Sequence, residues 1–213
     1  MAKIDHHVHT TRYSPDSVIE LPVLVARALA AGLDAVIITE HDAQWTAKEL
    51  AALQRQAGAL LVLSGAEISA REGHFLVYGL PDLAGAGPGI GLGALLKLVK
   101  RHDAAIVAAH PFRWDQDFRA LLAEHGPAFD GLELVSNNVT PETRARTAAA
   151  LAEHPSIGAT GSSDGHEPAM VGCYYTEVDG PVRSIGDFVS ALKSRKFGPG
   201  HTPGMPMAAG ALR

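Results

Sequence analysis

The sequence has a single cysteine and no excess of basic charge. One thiol, Cys173, excludes an intramolecular disulfide and a cluster of metal-binding thiolates. Its neighbours, Val-Gly-Cys-Tyr-Tyr, predict a strand, which favours a buried and apolar role for the thiol. The chain has 18 basic and 23 acidic residues and a net charge of −5, which argues against nucleic-acid binding as the main function.

Long apolar runs are also missing. No stretch approaches the ~20 consecutive apolar residues of a membrane helix, and the N-terminus has no apolar run of signal-peptide length. We therefore expect a cytoplasmic protein that does not enter membranes. No Gly-Lys dipeptide occurs, which excludes a phosphate-binding P-loop, and the glycines of 85–93 do not have the spacing of a dinucleotide site.

The length of 213 residues suits one large α/β domain. Short β-branched runs alternate with stretches of helical period, which predicts parallel strands joined by crossover helices. The pattern alone leaves open whether these strands close into a barrel or form an open sheet. We place a single domain at 1–197 and a Gly/Pro-rich tail at 198–213, where the periodicity is lost. The predicted strands are 4–9, 35–39, 60–63, 75–78, 105–109, 131–135 and 157–160, and the predicted helices are about 21–31, 94–101, 140–154 and 185–192.

Six of the 11 histidines lie beside predicted strands, together with carboxylates. His7 and His9 alternate at the end of the first strand and so point to one side, whereas His6 points to the other. The later strands contribute a larger set: Glu40, His41, Asp42, Glu67, His74, His110, Asp164 and His166. The ends of parallel strands meet at one face, and His74, at the start of its strand, joins them if that strand begins at the same rim.

This concentration of imidazoles and carboxylates predicts a metal site, because such groups are costly to bury unless they are paired or bind a metal. The mixture suits divalent Zn, Mn, Fe or Co. Ten groups exceed the ligands of one tetrahedral ion, so we expect more than one metal. Three other histidines, His102, His125 and His154, lie at predicted helix ends, where they suit the free carbonyl groups.

Six stretches of the chain resemble, in order, the motifs of the polymerase and histidinol phosphatase (PHP) family of metal-dependent phosphoesterases. They are DHHVHT, ITEHD, GAEIS, GHFLVYG, AAHP and GSSDGH. They span residues 5–166, and the strand–helix rhythm continues to about residue 197. The resemblance implies a distorted (β/α)7 barrel of mostly parallel strands, with two or three metal ions at its C-terminal face.

The resemblance also implies which residues bind these ions. The ligands form three groups: His7, His9, Glu67 and Asp164 for a first ion, Glu67, His74 and His110 for a second, and Asp16, His41 and His166 for a third. Glu67 would bridge the first two ions. Asp16 is our choice among the residues after the first strand, its alternative being an ordinary turn carboxylate. Glu40 stands where the family often has Asp, and we expect it to orient a ligand rather than bind metal.

The activity that follows is hydrolysis of a small phosphate mono- or diester, a metabolite or a nucleotide, with Zn, Mn or Fe as cofactor. A hydroxide that bridges the ions around Glu67 would attack phosphorus in line. Glu67, Asp164 and His166 are the predicted catalytic residues. Arg113 and Arg12, each three residues after a predicted ligand, are the candidate phosphate-binding cations.

Three alternatives stay open: a dedicated histidinol-phosphate phosphatase, a non-catalytic metal-stabilised interaction domain, and a hydrolase of C–N bonds. The complete ligand set argues against the second. The third often uses a carbamylated lysine as bridge, and no lysine lies at these strand ends. Glu133 is either a pocket-lining group or an ordinary strand carboxylate. The expected partner is a small phosphorylated molecule, with nucleic acid only as a nucleotide or short oligonucleotide substrate, and the oligomeric state is left open.

Overall fold

The computed structural model describes residues 1–115 and 117–205. Two short 3-10 helices lie at Arg113–Asp115 and Gly126–Ala128. The strands of the described chain are β1 (Ala2–Val8), β2 (Ala35–Ile38), β3 (Leu61–Ser64), β4 (Ala66–Ala70), β5 (Gly73–Tyr78), β6 (Ala105–Ala108), β7 (Gly131–Val135), β8 (Gly158–Gly161), β9 (Tyr174–Val178) and β10 (Phe197–His201). The helices are α1 (Leu21–Ala30), α2 (Ala47–Ala57), α3 (Leu92–Arg101), α4 (Phe118–His125), α5 (Pro141–Glu153) and α6 (Ile185–Ser194).

All seven strands and all four helices predicted from the sequence are confirmed, with ends that differ by about two residues, the usual uncertainty of element boundaries. The sequence did not single out β4 or α2, and of α4 it predicted only the end at His125. α2 nevertheless has a clear start signal, because Thr46 and Glu49 form a reciprocal capping box. The predicted tail begins inside β10, whose residues 198–201 pair with β9, because glycine and proline had hidden the strand pattern. The rest of the tail, 206–213, lies outside the described residues.

The strands form two five-stranded sheets, in the orders β10-β9-β1-β2-β3 and β4-β5-β6-β7-β8. The predicted α/β class is confirmed, whereas a closed (β/α)7 barrel is not confirmed among the described residues. The strands are also not mostly parallel, since four pairings are parallel and four antiparallel. The physical reason lies at β3–β5: one residue separates β3 from β4 and two separate β4 from β5. No helix fits there, so β4 and β5 form an antiparallel hairpin.

Gly65 is the residue that lets the chain pass from the first sheet into the second. A Cβ atom at this position would lie 2.8 Å from Cδ1 of Tyr78 and 2.8 Å from the carbonyl oxygen of Val77. Contacts that short exclude any side chain, so glycine permits the close approach of the β3–β4 connection to β5. The consequence for function is that Glu67, the second residue of β4, lies in the second sheet directly beside the first.

Two isolated bridges join the sheets where the predicted site residues lie. Val8 pairs with Gly165, and His41 pairs with Glu67, both in parallel orientation. The His9 amide donates to the Gly165 carbonyl at 3.0 Å, and the Glu67 amide donates to the Glu40 carbonyl at 3.0 Å. These backbone hydrogen bonds fix the C-terminal ends of β1 and β2 against the strands of the other sheet.

A buried apolar cluster fills the space between the sheets and is covered by α6. It combines Ile4 and Ile37 of the first sheet with Leu76 and Val107 of the second, and Phe188 of α6 packs on it. Apolar burial of this kind holds the two sheets in register, so the strand ends at the opposite rim keep fixed positions. Among the described residues, no helix combines the length and apolar character needed to cross a membrane.

The strand predicted around Cys173 begins only at the next residue, with β9, whereas the predicted burial of the thiol is confirmed. Its sulfur accepts a hydrogen bond from Nδ2 of Asn137 at 3.2 Å, and burial raises the pKa of the thiol to about 12. Since only the thiolate reacts, we expect a soluble disulfide reagent at about pH 8 to label the folded protein over about a thousandfold more slowly than a free cysteine of pKa about 8.5. Rapid labelling before unfolding would contradict this burial, and labelling in denaturant is the control.

Candidate metal centre

Glu67 lies at the centre of the predicted site. β4 places its carboxylate among imidazoles that come from β1, from the segment after β2, from β5 and from the end of β6. The ring nitrogens lie within 3.3 Å of its oxygens: His7 Nε2 at 3.3 Å, His9 Nε2 at 3.2 Å and His41 Nδ1 at 2.9 Å from Oε2, and His74 Nδ1 at 2.9 Å and His110 Nε2 at 3.2 Å from Oε1. The structure therefore brings together the five histidines that the sequence placed at strand ends on either side of Glu67.

Asp164 forms the second carboxylate of the cluster. It follows β8 and is held beside β1 by the bridge between Val8 and Gly165. Its Oδ1 lies 3.2 Å from Nε2 of His7 and 3.5 Å from Nε2 of His9. The backbone of Asp164 is left-handed, with φ of +50°, which directs the carboxylate into the cluster at some conformational cost.

Asp16, His41 and His166 form a third group at the outer side of the cluster. Oδ2 of Asp16 lies 3.1 Å from Nε2 of His41 and 3.2 Å from Nε2 of His166. Asp16 is half-exposed, with 54 % of its side-chain surface accessible, whereas Glu67 and Asp164 are buried. Asp16, the residue chosen after the first strand, thus lies beside His41 and His166, and the resemblance had placed these three residues in one group.

The donor atoms fit divalent cations. Among the described residues, Nε2 of His7 and Nε2 of His9 are buried and have no hydrogen-bond partner, although both lie within 3.3 Å of Oε2 of Glu67. Unpaired buried polar atoms are rare, and a shared metal explains why these atoms face one another. Three sets have ligand atoms within 4.8 Å of one another: His7, His9 and Asp164; His9, His41 and His166; and His41, Glu67 and His74.

The electrostatics of the cluster favour a bound cation. Burial alone would raise the pKa of Glu67 and Asp164, but the neighbouring imidazoles, His7 first among them, hold the pKa of both carboxyls well below its usual range. Against the opposing effect of burial, the carboxylates raise the pKa of His7 well above its usual value and the pKa of His9 to about 9. Protons on imidazole thus compensate the carboxylates, a role that a metal takes over when it binds and displaces them.

Glu40 lies beside the cluster and is not itself part of it. It accepts hydrogen bonds from Nε1 of Trp45 at 2.9 Å and from Oγ of Ser14 at 2.5 Å. Ser14 also contacts Nδ1 of His9 at 3.2 Å, so Glu40 acts on His9 through one hydroxyl. Asp42 is used structurally, because its Oδ1 accepts the Ser69 amide at 2.9 Å.

Glu133 supports the cluster from the side of β7. Its Oε1 lies 3.0 Å from Nδ1 of His7, its Oε2 accepts the backbone amide of His110 at 2.8 Å, and Ser162 donates its hydroxyl to Oε1. The sequence analysis described Glu133 as either a pocket-lining group or an ordinary strand carboxylate, and neither describes this role. The side chain is fully buried and does not line the cavity. The supporting role of Glu133 follows only from its contacts with His7 and with the backbone of His110, which the fold brings close to it.

His6 points away from the cluster, as the strand alternation predicted. Its Nδ1 lies 2.6 Å from the hydroxyl of Tyr78 and its Nε2 lies 3.0 Å from Oγ1 of Thr176. Burial lowers the pKa of His6 to about 3, so the ring is neutral. It is a hydrogen-bonded core residue.

A cavity of about 400 Å³ opens onto the cluster. Arg113 lines it, but Arg12 does not, because its guanidinium pairs with Glu49 at 2.9 Å on the surface. The sequence spacing placed both arginines after a ligand but could not show which way each side chain turns. The cavity is lined by Asp16, His41, Glu67, His74, His110, Arg113, Trp114, Asn137, Asn138, Asp164, His166 and Met170. Trp114, Asn137, Asn138 and Met170 had no recognisable signal in the sequence.

The fold and the cluster define an α/β protein with a candidate site for several metal ions. Residues 143–197 match a family model described as PHP-associated. This segment runs from α5 to the start of β10 and includes Asp164 and His166. No curated protein matches the chain in sequence.

Solved structures with a similar fold include three from bacteria. PsfC from Pseudomonas syringae PB-5123 has a TM-score of 0.67 at 22% identity, over 96% of this chain and 93% of PsfC. A "putative metal-dependent phosphoesterase" from Bifidobacterium adolescentis ATCC 15703 has a TM-score of 0.61 at 21% identity, over 76% of this chain and 87% of that protein. An amidohydrolase from Chromobacterium violaceum with bound sulfate and no metal has a TM-score of 0.64 at 17% identity, over 95% of this chain and 99% of that protein. The structural likenesses show a shared fold, and the family model confirms the resemblance to the PHP family over residues 143–197.

Proposed function

We propose that the protein is a metal-dependent hydrolase of a small phosphate mono- or diester. One observation carries this proposal: a buried carboxylate, Glu67, gathers imidazoles from four segments at the base of a cavity that also contains Arg113. The likeness to a named phosphoesterase and the sulfate bound in the Chromobacterium amidohydrolase agree with an oxyanion ligand. The proposal also includes the closure of the barrel, a single domain of the PHP type, and Zn, Mn or Fe as the bound ions.

The residues that would hold the ions are the three groups already described around Glu67, Asp164 and Asp16. Divalent ions at such a site activate water near neutral pH and offset the charge of the phosphoryl group. Because Glu67 and Asp164 are held ionised by their histidine neighbours, both are ready to bind cations without losing a proton. Burial lowers the pKa of His166, which keeps this ring neutral and able to act as a ligand.

Arg113 is the residue we assign to the phosphate oxygens. It lines the cavity three residues beyond His110, and its planar guanidinium can donate two hydrogen bonds to one phosphate. Asn138 limits the movement of the cluster from the other side, because its Nδ2 donates to Oδ2 of Asp164 at 2.6 Å. The chain thus positions the substrate anion with Arg113 and the cluster geometry with Asn138, while Glu67, Asp164 and His166 form the reaction centre.

Hydrolysis of a C–N bond is the second candidate, because one protein of similar fold is named an amidohydrolase. The absence of lysine among the described residues that line the cavity speaks against a carbamylated bridge. Glu67 occupies the central position instead. We therefore rank ester hydrolysis first and include amides in the test.

The test is an assay of protein loaded with Mn or Zn against a panel of esters and amides. We expect turnover of phosphate esters, two or three metal ions per chain by elemental analysis, and loss of activity after chelation that returns with added metal. Turnover of amides alone would replace the proposal, and turnover of histidinol phosphate alone would narrow it to that phosphatase. A metal-replete protein that hydrolyses nothing would identify an interaction domain instead.

A further inference from the structure

The segment that follows β6 has an unusual backbone. His110, Phe112 and Trp114 have φ values of +29°, +65° and +59°, in the left-handed region that bulky side chains avoid. Their side chains occupy three different environments. His110 contacts Glu67 in the cluster, Phe112 is buried against Phe118 in the core, and Trp114 lies at the cavity. A strained segment that joins a candidate metal centre to its cavity points to a functional constraint.

Trp114 is held close to the cluster but is not buried by it. Its ring centre lies 4.9 Å from that of His74 and 5.3 Å from that of His110, and the guanidinium of Arg113 lies 4.3 Å from the indole centre. Even so, 55% of its surface is exposed. Among the large apolar side chains that are exposed in the described part of the chain, Trp114 alone lines the cavity. Its indole is therefore available to a molecule bound there.

The chain just before Trp114 is anchored by the contacts of Phe112. Phe112 packs on Phe118 at a ring-centre distance of 5.3 Å, and the guanidinium of Arg146 lies 4.4 Å from the centre of its ring. His110 contacts Glu67 in the cluster, and Trp114, two residues beyond Phe112, lies at the cavity. The exposed indole thus directly follows a stretch of chain whose side chains are held in the cluster and in the core.

The residues that line the cavity are of two chemical kinds. The histidines, carboxylates and Arg113 suit the anionic phosphate, whereas Trp114 and Met170 are its apolar lining residues. A volume of about 400 Å³ lies in the range of about 300–1,000 Å³ that holds small organic ligands, so a group attached to the phosphate has room. Planar rings stack favourably on an indole, and a guanidinium beside it strengthens such a stack.

We infer that Trp114 forms a stacking site for a planar aromatic ring in the alcohol part of the phosphate ester. This inference rests on the proposed function and adds a substrate class to it: esters that carry a ring, such as an aryl phosphate or a nucleotide, in preference to aliphatic esters. Arg113 lines the same cavity, where it can contact the phosphate, and its guanidinium lies over the indole ring at 4.3 Å from the ring centre.

The first experiment measures binding without turnover, so it does not depend on the reaction. Phenylphosphonate and methylphosphonate differ by the ring and contain a C–P bond that ester hydrolysis does not break. We expect metal-loaded protein to bind phenylphosphonate about tenfold more tightly by calorimetry, as stacking on an aromatic side chain typically gives. Trp114→Ala should bring the two affinities close together, and Trp114→Phe should restore most of the difference.

Leu29→Ala is the control variant, because Leu29 is an exposed apolar side chain on α1 that does not line the cavity. Its ratio of phenylphosphonate to methylphosphonate affinity should equal that of the unchanged protein. A Trp114→Ala protein that weakens both phosphonates equally would show that Trp114 acts through His74 and His110, and the stacking site would be wrong. Equal affinities in the unchanged protein would overturn it as well.

The second experiment identifies the source of the ring. Phenyl phosphate places the ring on the ester oxygen, uridine 5′-monophosphate places it beyond a sugar, and glycerol 3-phosphate has none. We expect kcat/KM for one of the ring-bearing esters to exceed that for glycerol phosphate by about tenfold, mostly through KM. If no ester is hydrolysed, the proposed function fails while the phosphonate result still decides the stacking site. Equal kcat/KM for all three esters would overturn the inference alone.

Discussion

Glu67→Ala should abolish metal binding and activity together. The carboxylate contacts five imidazoles. Oε2 lies near His7, His9 and His41, and Oε1 lies near His74 and His110. Even loss of an outer partner of a ligand lowers metal affinity by about 10–100-fold, so loss of a bridging ligand should lower it by more. Elemental analysis and the ester assay measure the two effects.

Glu67→Gln separates charge from shape in this prediction. The amide keeps the size of the side chain but replaces one ligand oxygen by an NH₂ group, which is a donor and does not bind metal. We expect a loss nearly as large as for alanine, because the bridge needs both oxygens. Asp164→Ala should act in the same direction, since its Oδ1 contacts the same two nitrogens of His7 and His9.

His154→Ala is the matched control for this series. His154 follows α5 as its C-terminal cap and does not line the cavity, so its loss should leave metal content and turnover unchanged. Circular dichroism of each variant shows whether it is folded. If folded Glu67→Ala and Asp164→Ala proteins keep the metal content and activity of His154→Ala, the assignment of the centre is wrong.

The sequence was sufficient to predict this cluster because strand geometry is local. Alternation on β1 separates His7 and His9 from His6, and the structure places His6 with Tyr78 on the other side. His74 was expected to join if its strand began at the same rim. The two-residue turn of the β4–β5 hairpin does this by pairing His74 with Ser69, two residues from Glu67.

What the sequence could not supply depends on contacts between distant segments. Arg12 and Arg113 have the same spacing after a predicted ligand. The guanidinium of Arg12, however, pairs with Glu49, 37 residues further along the chain, and does not line the cavity. Trp114 lies at the cavity, whereas Phe112, two residues before it, is packed in the core, and no local pattern distinguishes these two aromatic residues. Likewise, the antiparallel pairing of β9 with β1 and β10 joins elements that no local pattern relates. The closed barrel was what the family resemblance implied, and the short connections around Gly65 interrupt the alternation of strands and helices.

Glu133→Ala should weaken metal binding without touching a ligand. Glu133 holds Nδ1 of His7 at 3.0 Å, which leaves Nε2 of that ring directed at the cluster, and it accepts the His110 amide at 2.8 Å. Its pKa is held low against burial by His7, so the carboxylate is ionised and favours a proton on Nδ1. We expect metal affinity to fall by about 10–100-fold, as for other partners of metal-binding histidines.

Stability should fall as well, because the buried His110 amide loses its acceptor, at a cost of about 1–3 kcal/mol. The two effects are separable: a purely structural role would lower the melting temperature of the metal-free protein and leave the metal affinity of the folded fraction unchanged. Glu133→Gln should be intermediate, since one amide oxygen cannot accept from His7, Ser162 and the His110 amide together. Glu177→Gln, on β9 and away from the cavity, is the matched strand control. Metal affinity in Glu133→Ala equal to that of Glu177→Gln would refute the positioning of His7 by Glu133.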